Sequence, residues 1–256
     1  KSTEGSSGAL DLKTGDSTST VGWVEVSVGT GNAGEGGYVN ITAGNTTASG
    51  MTGGMLLLTA GAGLHASSGI GGSINISAGF AKYKTGGHIR LDAGRSEASS
   101  SGEITIKTPN AGLVGTSGSI NVSTGLSTTG LSGALTFLTG EADFGGAGEI
   151  DVLVGRSTLG VGGDLTTFAG NTTAANQYGG SIVIRSGWGT GLYSQGGRID
   201  LLTGQGASQA GALYARVGQT DAAFGGSEVV ITAGNTTGAS RTGGKIIITA
   251  GAGTSA

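Results

Sequence analysis

The chain has 256 residues, of which 57 are glycine, one is proline and none is cysteine. These numbers exclude a coiled coil, a collagen, a disulfide framework, thiol catalysis and a zinc–thiolate site. Charged residues make up 11% of the chain and the net charge is −3, so there is no basic surface to hold a nucleic-acid backbone. No apolar run is long enough to cross a bilayer as a helix, and we expect no membrane insertion.

A nine-residue repeat runs through the whole chain. Its pattern is (G/S)-G-x-φ-x-φ-x-x-G, where φ is apolar, and we number its residues as positions one to nine. Position two is glycine in all repeats except at Ser227, and position nine is glycine in all except at Pro109. Sixteen repeats, spaced about sixteen residues apart, begin at residues 7, 21, 36, 53, 71, 86, 101, 117, 132, 147, 162, 179, 196, 210, 226 and 243.

Each repeat predicts a short β-strand followed by a loop. Large apolar residues alternate with polar ones, as Ile104 and Ile106 do in the seventh repeat, and this period of two is typical of a half-buried strand. The bracketing glycines predict turns in which φ is positive. Residues rich in Gly, Ser, Thr and Asn separate the strands and predict loops.

Sixteen similar strands are compatible with an antiparallel meander or with a solenoid, and the loops favour the solenoid. Asn-Thr-Thr follows only odd-numbered repeats, and segments 36–63 and 225–253 match over two repeats. The period is therefore predicted to be two strands, or about 31 residues. We expect an all-β fold: a β-solenoid of about eight two-stranded rungs, with positions four and six in a dry core and Ala or Thr of position eight where the sheets converge. Residues 1–256 would form a single repeat domain with uncapped ends, a segment of a longer solenoid.

Asparagines in the N-x-S/T pattern are the clearest candidates for modification. Six of the nine asparagines have this pattern, which marks N-glycosylation acceptors. The alternative is that they hydrogen-bond along the stack or cap turns. The loop sequons are the better candidates because glycans four and two rungs apart would not collide. The loop sequons are Asn45, Asn171 and Asn235, and the sequons within repeats are Asn40, Asn75 and Asn121.

Large apolar residues at position seven predict a lateral contact. This position is Ser or Thr in seven of the sixteen repeats and charged in five, yet it is Leu138, Phe168 and Leu202 in three odd-numbered repeats. In a solenoid these three would form an apolar stripe on one face, which indicates contact with another chain. A loop folded over the stripe is the alternative.

Residues suited to catalysis are few, and we expect neither an enzyme nor a cofactor. The two histidines, His65 and His88, lie in separate repeats without metal or triad spacing. Carboxylates are scattered singly along the chain. Residues 29–34 match the Gly-x-Gly-x-x-Gly pattern of dinucleotide-binding loops, but the sequence after them does not predict the helix that such a site needs.

The repeats resemble known repetitive proteins over nearly the whole chain. GGSINISAG, SSGEITIKTPNAG, SGSINVSTG and SGALTFLTG resemble the long Gly/Ser-rich repeat proteins predicted from diatom and other stramenopile algal genomes. That resemblance implies a secreted, structural role. The repeats are also similar to those of bacterial filamentous-haemagglutinin-type adhesins, which usually repeat in longer rungs.

These observations predict an extracellular structural protein at a cell or flagellar surface. It would be a glycosylated building block of a filament, a flagellar hair resembling a mastigoneme, or a surface coat. Its partners would be copies of itself or similar repeat chains, with covalent glycans and no nucleic acid. The alternative is an adhesin that binds glycans or surfaces through its loops, with Tyr178, Trp188 and Tyr193 as the residues to test.

Overall fold

The computed structural model describes residues 7–219, 226–237 and 239–251. Throughout these residues the chain has no α-helix and no β-strand, only turns and bends that join irregular segments. The chain divides into two units, Lys1–Gly133 and Ala134–Ala256. The repeat pattern continues through both units.

The described residues form no hydrophobic core. None of their side chains is buried, apolar or polar, and the large aliphatic residues of the repeats are all exposed. The accessible surface of the chain is 26497 Å², whereas a compact monomer of this length exposes on the order of 10,000 Å². The single chain therefore leaves uncovered the apolar surface that would normally stabilise a fold.

The predicted β-solenoid is wrong, and so are its sixteen strands, its eight two-stranded rungs and its dry core. A strand exists only when its backbone pairs with another strand, and backbone hydrogen bonds in the described residues are confined to the loops and their ends. The alternating pattern specifies which side chains share a side of the chain. It does not specify what covers them, and among the described residues nothing does.

The alternation itself is present in the local geometry. Polar side chains two residues apart contact each other at odd positions of a repeat: Lys13 Nζ lies 3.0 Å from Asp11 Oδ2, and Thr42 Oγ1 donates to Asn40 Oδ1 at 3.1 Å. Arg198 and Asp200 form another such pair, with 2.9 Å between Nε and Oδ2. Because side chains at i and i+2 meet only when they project to the same side, these repeats carry odd positions on one side and even positions on the other.

The strongest local order lies where one repeat ends and the next begins. The N–H of a position-two glycine donates to the carbonyl oxygen of the position-nine glycine of the preceding repeat, closing the loop between them. We call this hydrogen bond a glycine clasp. The described residues contain eight clasps, with N···O distances of 2.8–2.9 Å, at Gly44–Gly54, Gly61–Gly72, Gly79–Gly87, Gly94–Gly102, Gly170–Gly180, Gly187–Gly197, Gly204–Gly211 and Gly234–Gly244.

Candidate functional site: clasped loops and exposed repeat faces

Close approach explains why position two is glycine. A Cβ added to Gly54 would lie 2.9 Å from the backbone nitrogen of Gly44 and 3.3 Å from the Cβ of Ala43, which is at position eight. A Cβ added to the neighbouring Gly53, at position one, would meet nothing closer than 3.7 Å. The predicted positive φ is absent from positions one, two and nine of the described repeats. The described glycines with positive φ are Gly34, Gly50, Gly115 and Gly145, all in loops.

The presence of a clasp follows the size of the side chain at position eight, with one exception. Among the described repeat pairs, the clasp is present in all seven that have Ala or Ser at this position. It is present in one of the eight that have Thr or Val, the one with Thr203. The small residues are Ala43, Ala60, Ala78, Ala93, Ala169, Ser186 and Ala233, and the other branched ones are Thr14, Val28, Thr108, Thr124, Thr139, Val154 and Val217.

The reason for this difference is steric. A Cβ on Gly163 would lie 2.9 Å from Cγ1 of Val154, so the branched side chain already occupies the space beside the position-two residue. At Thr139 the side chain makes a different contact, because its Oγ1 donates to the carbonyl oxygen of Gly148 at 3.2 Å. At Val154 and Thr139 the atoms beyond Cβ at position eight thus lie in the space beside the position-two residue, although Thr203 shows that a threonine there is compatible with a clasp.

Four clasped loops of nine residues share one further feature. The sixth residue after the clasp glycine has a left-handed backbone in each of them, although non-glycine residues rarely adopt it. In the first and third loops this residue is the third of the four residues of a tight turn, with Met51 N donating to Ala48 O at 3.4 Å and Ser194 N donating to Gly191 O at 3.0 Å. The left-handed residues are Gly50 (φ 71°), Asn176 (φ 57°), Tyr193 (φ 62°) and Ser240 (φ 61°).

The six predicted sequons fall into two geometrical classes. Asn45, Asn171 and Asn235 are each the first residue of a clasped nine-residue loop, directly after the clasp glycine. The other three, Asn40, Asn75 and Asn121, lie at position five of a repeat. In the first of these, Thr42 donates to the side-chain oxygen of Asn40 within the same sequon.

The predicted contact residues are exposed. Leu138, Phe168 and Leu202 have exposed fractions of 75%, 88% and 88%. Their alignment into a stripe was inferred from the solenoid, which is absent, and their role as contacts stays a prediction. The aromatic residues proposed for an adhesin are exposed as well: Tyr178 lies in one clasped loop, and Trp188 and Tyr193 lie in the next.

Polar groups suited to catalysis are dispersed in the described part of the chain. His65 Nδ1 lies 3.0 Å from Ser68 Oγ and 3.4 Å from the backbone nitrogen of Ser67, so the ring caps a local turn. The described residues contain no cluster of three or more potential metal ligands, and no pocket is found. Arg90 pairs with Asp92 and Arg95 with Glu97, each an exposed ion pair across two residues.

Sequence reasoning did not identify the clasps, although a signal was present. Position eight was assigned to the convergence of two sheets, whereas its contact is with the position-two glycine of the next repeat. Position eight holds a small residue in some repeats and a branched residue in others, and this difference could have predicted that some loops are clasped and others are not.

Comparisons with known proteins assign the chain to no family. Neither protein-family models, nor curated protein sequences, nor solved structures give a match. Within the described residues, no helix is long and apolar enough to cross a membrane.

Proposed function

We propose that this protein is an extracellular structural protein whose repeats associate with those of other copies to build a filament, a flagellar hair or a surface coat. The observation that carries the proposal is that the aliphatic residues at positions four and six are exposed throughout the described repeats. In the fifth repeat, for example, Ile74 is 53% exposed and Ile76 is 65% exposed. Apolar surface repeated over so many segments favours association over a solitary state.

The backbone gives a second reason for association. Along the described repeats, the backbone N–H and C=O groups make no hydrogen bonds with each other outside the loops and their ends. A row of unpaired groups in a segment rich in Ile and Val is a template for pairing with another chain. Pairing with another chain can therefore supply hydrogen bonds to these backbone groups and cover the side chains at even positions at the same time.

A second copy of the same chain is the partner that fits best. Every copy presents the same alternation at the same spacing of about sixteen residues, so several repeats can engage at once. Binding of linked repeats is strengthened because each engaged repeat raises the effective concentration of the next. The net charge of −3 over 256 residues gives little electrostatic repulsion between copies.

Sedimentation velocity over a range of protein concentrations tests this proposal. The wild-type chain is expected to form large assemblies, with filaments or sheets visible by electron microscopy. The triple variant Ile74→Asp, Ile104→Asp, Ile120→Asp places carboxylates at position four of three repeats. It should shift association to at least tenfold higher concentration, because covering an unpaired carboxylate is costly.

A matched control separates apolar contact from charge. The variant Asn75→Asp, Thr105→Asp, Asn121→Asp adds the same three negative charges in the same repeats, but at position five. It should lose less of its association than the position-four variant does, because its carboxylates stay in water and only repel one another. Equal loss in both variants would mean that charge alone opposes association, and a wild-type chain that stays monomeric at every concentration would contradict the proposal.

An adhesin is the second candidate, and the loop at residues 188–196 favours it. Tyr193 combines an exposed ring with a left-handed backbone, and residues held in such conformations cluster at functional sites. Trp188, 87% exposed, lies in the same loop, and aromatic rings are common contacts in binding surfaces. Binding of the chain to immobilised glycans, compared with that of Trp188→Ala, would test this function, and equal binding by both would exclude a role for the loop.

A further inference from the structure

The three Asn-Thr-Thr loops have one common design. Each begins directly after a clasp glycine, has a left-handed residue six positions after that glycine, and closes through its clasp after nine residues. The third loop is described except for residue 238. Asn45, Asn171 and Asn235 therefore occupy equivalent places at the start of three equivalent exposed loops.

Hydrogen bonds within the first two loops leave the sequon groups available. Thr46 Oγ1 accepts from the backbone nitrogen of Ala48 at 3.2 Å, and Thr172 Oγ1 accepts from that of Ala174 at the same distance. The threonine next to the asparagine thus stabilises the turn. The asparagine itself and the second threonine, which completes the sequon, make no hydrogen bond: these are Asn45, Thr47, Asn171 and Thr173.

The sequons inside the repeats differ in both place and contacts. Asn40, Asn75 and Asn121 lie at position five, in the middle of the segment that the proposed assembly would pair with another copy. Paired chains lie about 4.8 Å apart, which leaves no room for an oligosaccharide on every copy at such a position. In addition, the side-chain oxygen of Asn40 already accepts the sequon hydroxyl of Thr42.

We propose that the three loop asparagines, and not the three at position five, carry N-linked oligosaccharides. This inference rests on the proposed extracellular function, because the donor, an oligosaccharide on a lipid diphosphate, belongs to the secretory route. The amide Nδ2 bonds to the anomeric carbon of the sugar, and the bond from that carbon to the diphosphate oxygen breaks. The lipid diphosphate leaves with the bonding electrons and the amide loses one proton, so nothing is oxidised or reduced.

Site mapping on the secreted full chain tests the inference. The chain would be produced in a secreting eukaryotic cell and treated with a peptide amidase in ¹⁸O-water, which converts each glycan-bearing asparagine to labelled aspartate. Peptide mass spectrometry should find the label at residues 45, 171 and 235 and none at residues 40, 75 and 121. Absence of label from the loops of the secreted chain, or equal label at position five, would overturn it.

Two threonine substitutions in one loop give a matched pair. Thr47→Ala removes the sequon and should lower the intact mass by one oligosaccharide. Thr46→Ala keeps the sequon as Asn-Ala-Thr and removes only the turn hydrogen bond, so the mass of the glycan should remain. Loss of the glycan in both variants, or in neither, would contradict the assignment to Asn45.

Failure of this inference can be told apart from failure of the proposed function. Chain produced in bacteria carries no such glycan, and its sedimentation reports association alone. Association of that chain together with unlabelled loops in the secreted chain would overturn the glycan sites and leave the structural function standing.

Discussion

Gly53 and Gly54 are neighbours in the sequence, yet only Gly54 lies tightly against the preceding repeat. In the clasped repeats a Cβ at position two would lie 2.9–3.5 Å from the backbone of the preceding glycine, and at Gly54 this distance is 2.9 Å, whereas a Cβ on Gly53 would meet nothing closer than 3.7 Å. Steric contact therefore requires glycine at position 54 but not at position 53, although the two glycines look identical in the repeat pattern.

Gly54→Ala is expected to break the clasp between residues 44 and 54. A Cβ 2.9 Å from the Gly44 nitrogen forces the two segments apart, and the lost hydrogen bond is worth about 1 kcal/mol, or roughly fivefold in equilibrium. Hydrogen exchange of the residue 54 amide, followed by NMR, should be faster by that factor.

Gly53→Ala is the control for this prediction, because its Cβ would meet only ordinary van der Waals contact. It should leave the exchange of the residue 54 amide unchanged. Equal acceleration in both variants would show that backbone entropy, and not close contact, determines the need for glycine.

The left-handed residue of each clasped loop is a second place where one side chain matters. Tyr193 has φ 62°, which costs a non-glycine residue on the order of 1 kcal/mol, while the equivalent residue of the first loop is glycine. Tyr193→Gly should therefore slow exchange of the Ser194 amide, which donates to Gly191, by roughly fivefold. Tyr193→Phe keeps the same backbone cost and should leave the exchange rate unaltered; a slower rate in that variant would indicate that the phenol hydroxyl is responsible.

At the scale of the element, the geometry of a clasped loop depends on the clasp between its two ends more than on the residues within it. The loop at residues 188–196 has little in common with the Asn-Thr-Thr loops, yet it has the same length, the same clasp and the same left-handed position. It also follows an even-numbered repeat. The parity of the Asn-Thr-Thr loops, which predicted a two-strand period, therefore reflects sequence similarity between segments and not a distinct loop geometry.

Val154→Ala is expected to create a clasp that the natural chain lacks. Removing Cγ1 clears the space beside Gly163, and the pair then has the small position-eight residue found in the clasped loops. Hydrogen exchange of the Gly163 amide should become roughly fivefold slower, because one hydrogen bond contributes about 1 kcal/mol net.

The converse substitution, Ala43→Val, should open the natural clasp at Gly44–Gly54 and expose the Gly54 amide to exchange. If Val154→Ala leaves Gly163 unprotected while Ala43→Val leaves Gly54 protected, the side chain at position eight does not determine which loops close.

At the scale of the whole molecule, the sequence predicts the local pattern well and the global fold poorly. The period of two is present in the contacts between side chains two residues apart, such as Asp11 with Lys13, and the glycines do mark the ends of loops. What covers Ile74 or Ile104 depends on a partner segment, and nothing in the alternation says whether that segment belongs to the same chain. The solenoid assumed an internal partner, and the described chain has none.

The same distinction applies to the candidate sites. All six sequons can be recognised from three residues each, but their separation into loop and repeat classes depends on where the chain closes. The exposure of Leu138, Phe168 and Leu202 could be predicted from their place in the repeat, whereas a stripe required a sheet that the described residues do not form.

Amide hydrogen exchange of the fifth to seventh repeats, measured in the dissociated and in the associated protein, shows whether the repeats pair within one molecule or only between copies. Sedimentation velocity on the same samples would establish which state is present. We predict that the amides of residues 74–76, 89–91 and 104–106 exchange at nearly free rates in the single chain and become protected when copies associate. Full protection of these amides in the dissociated chain would contradict the account, because it would mean that the repeats pair within one molecule.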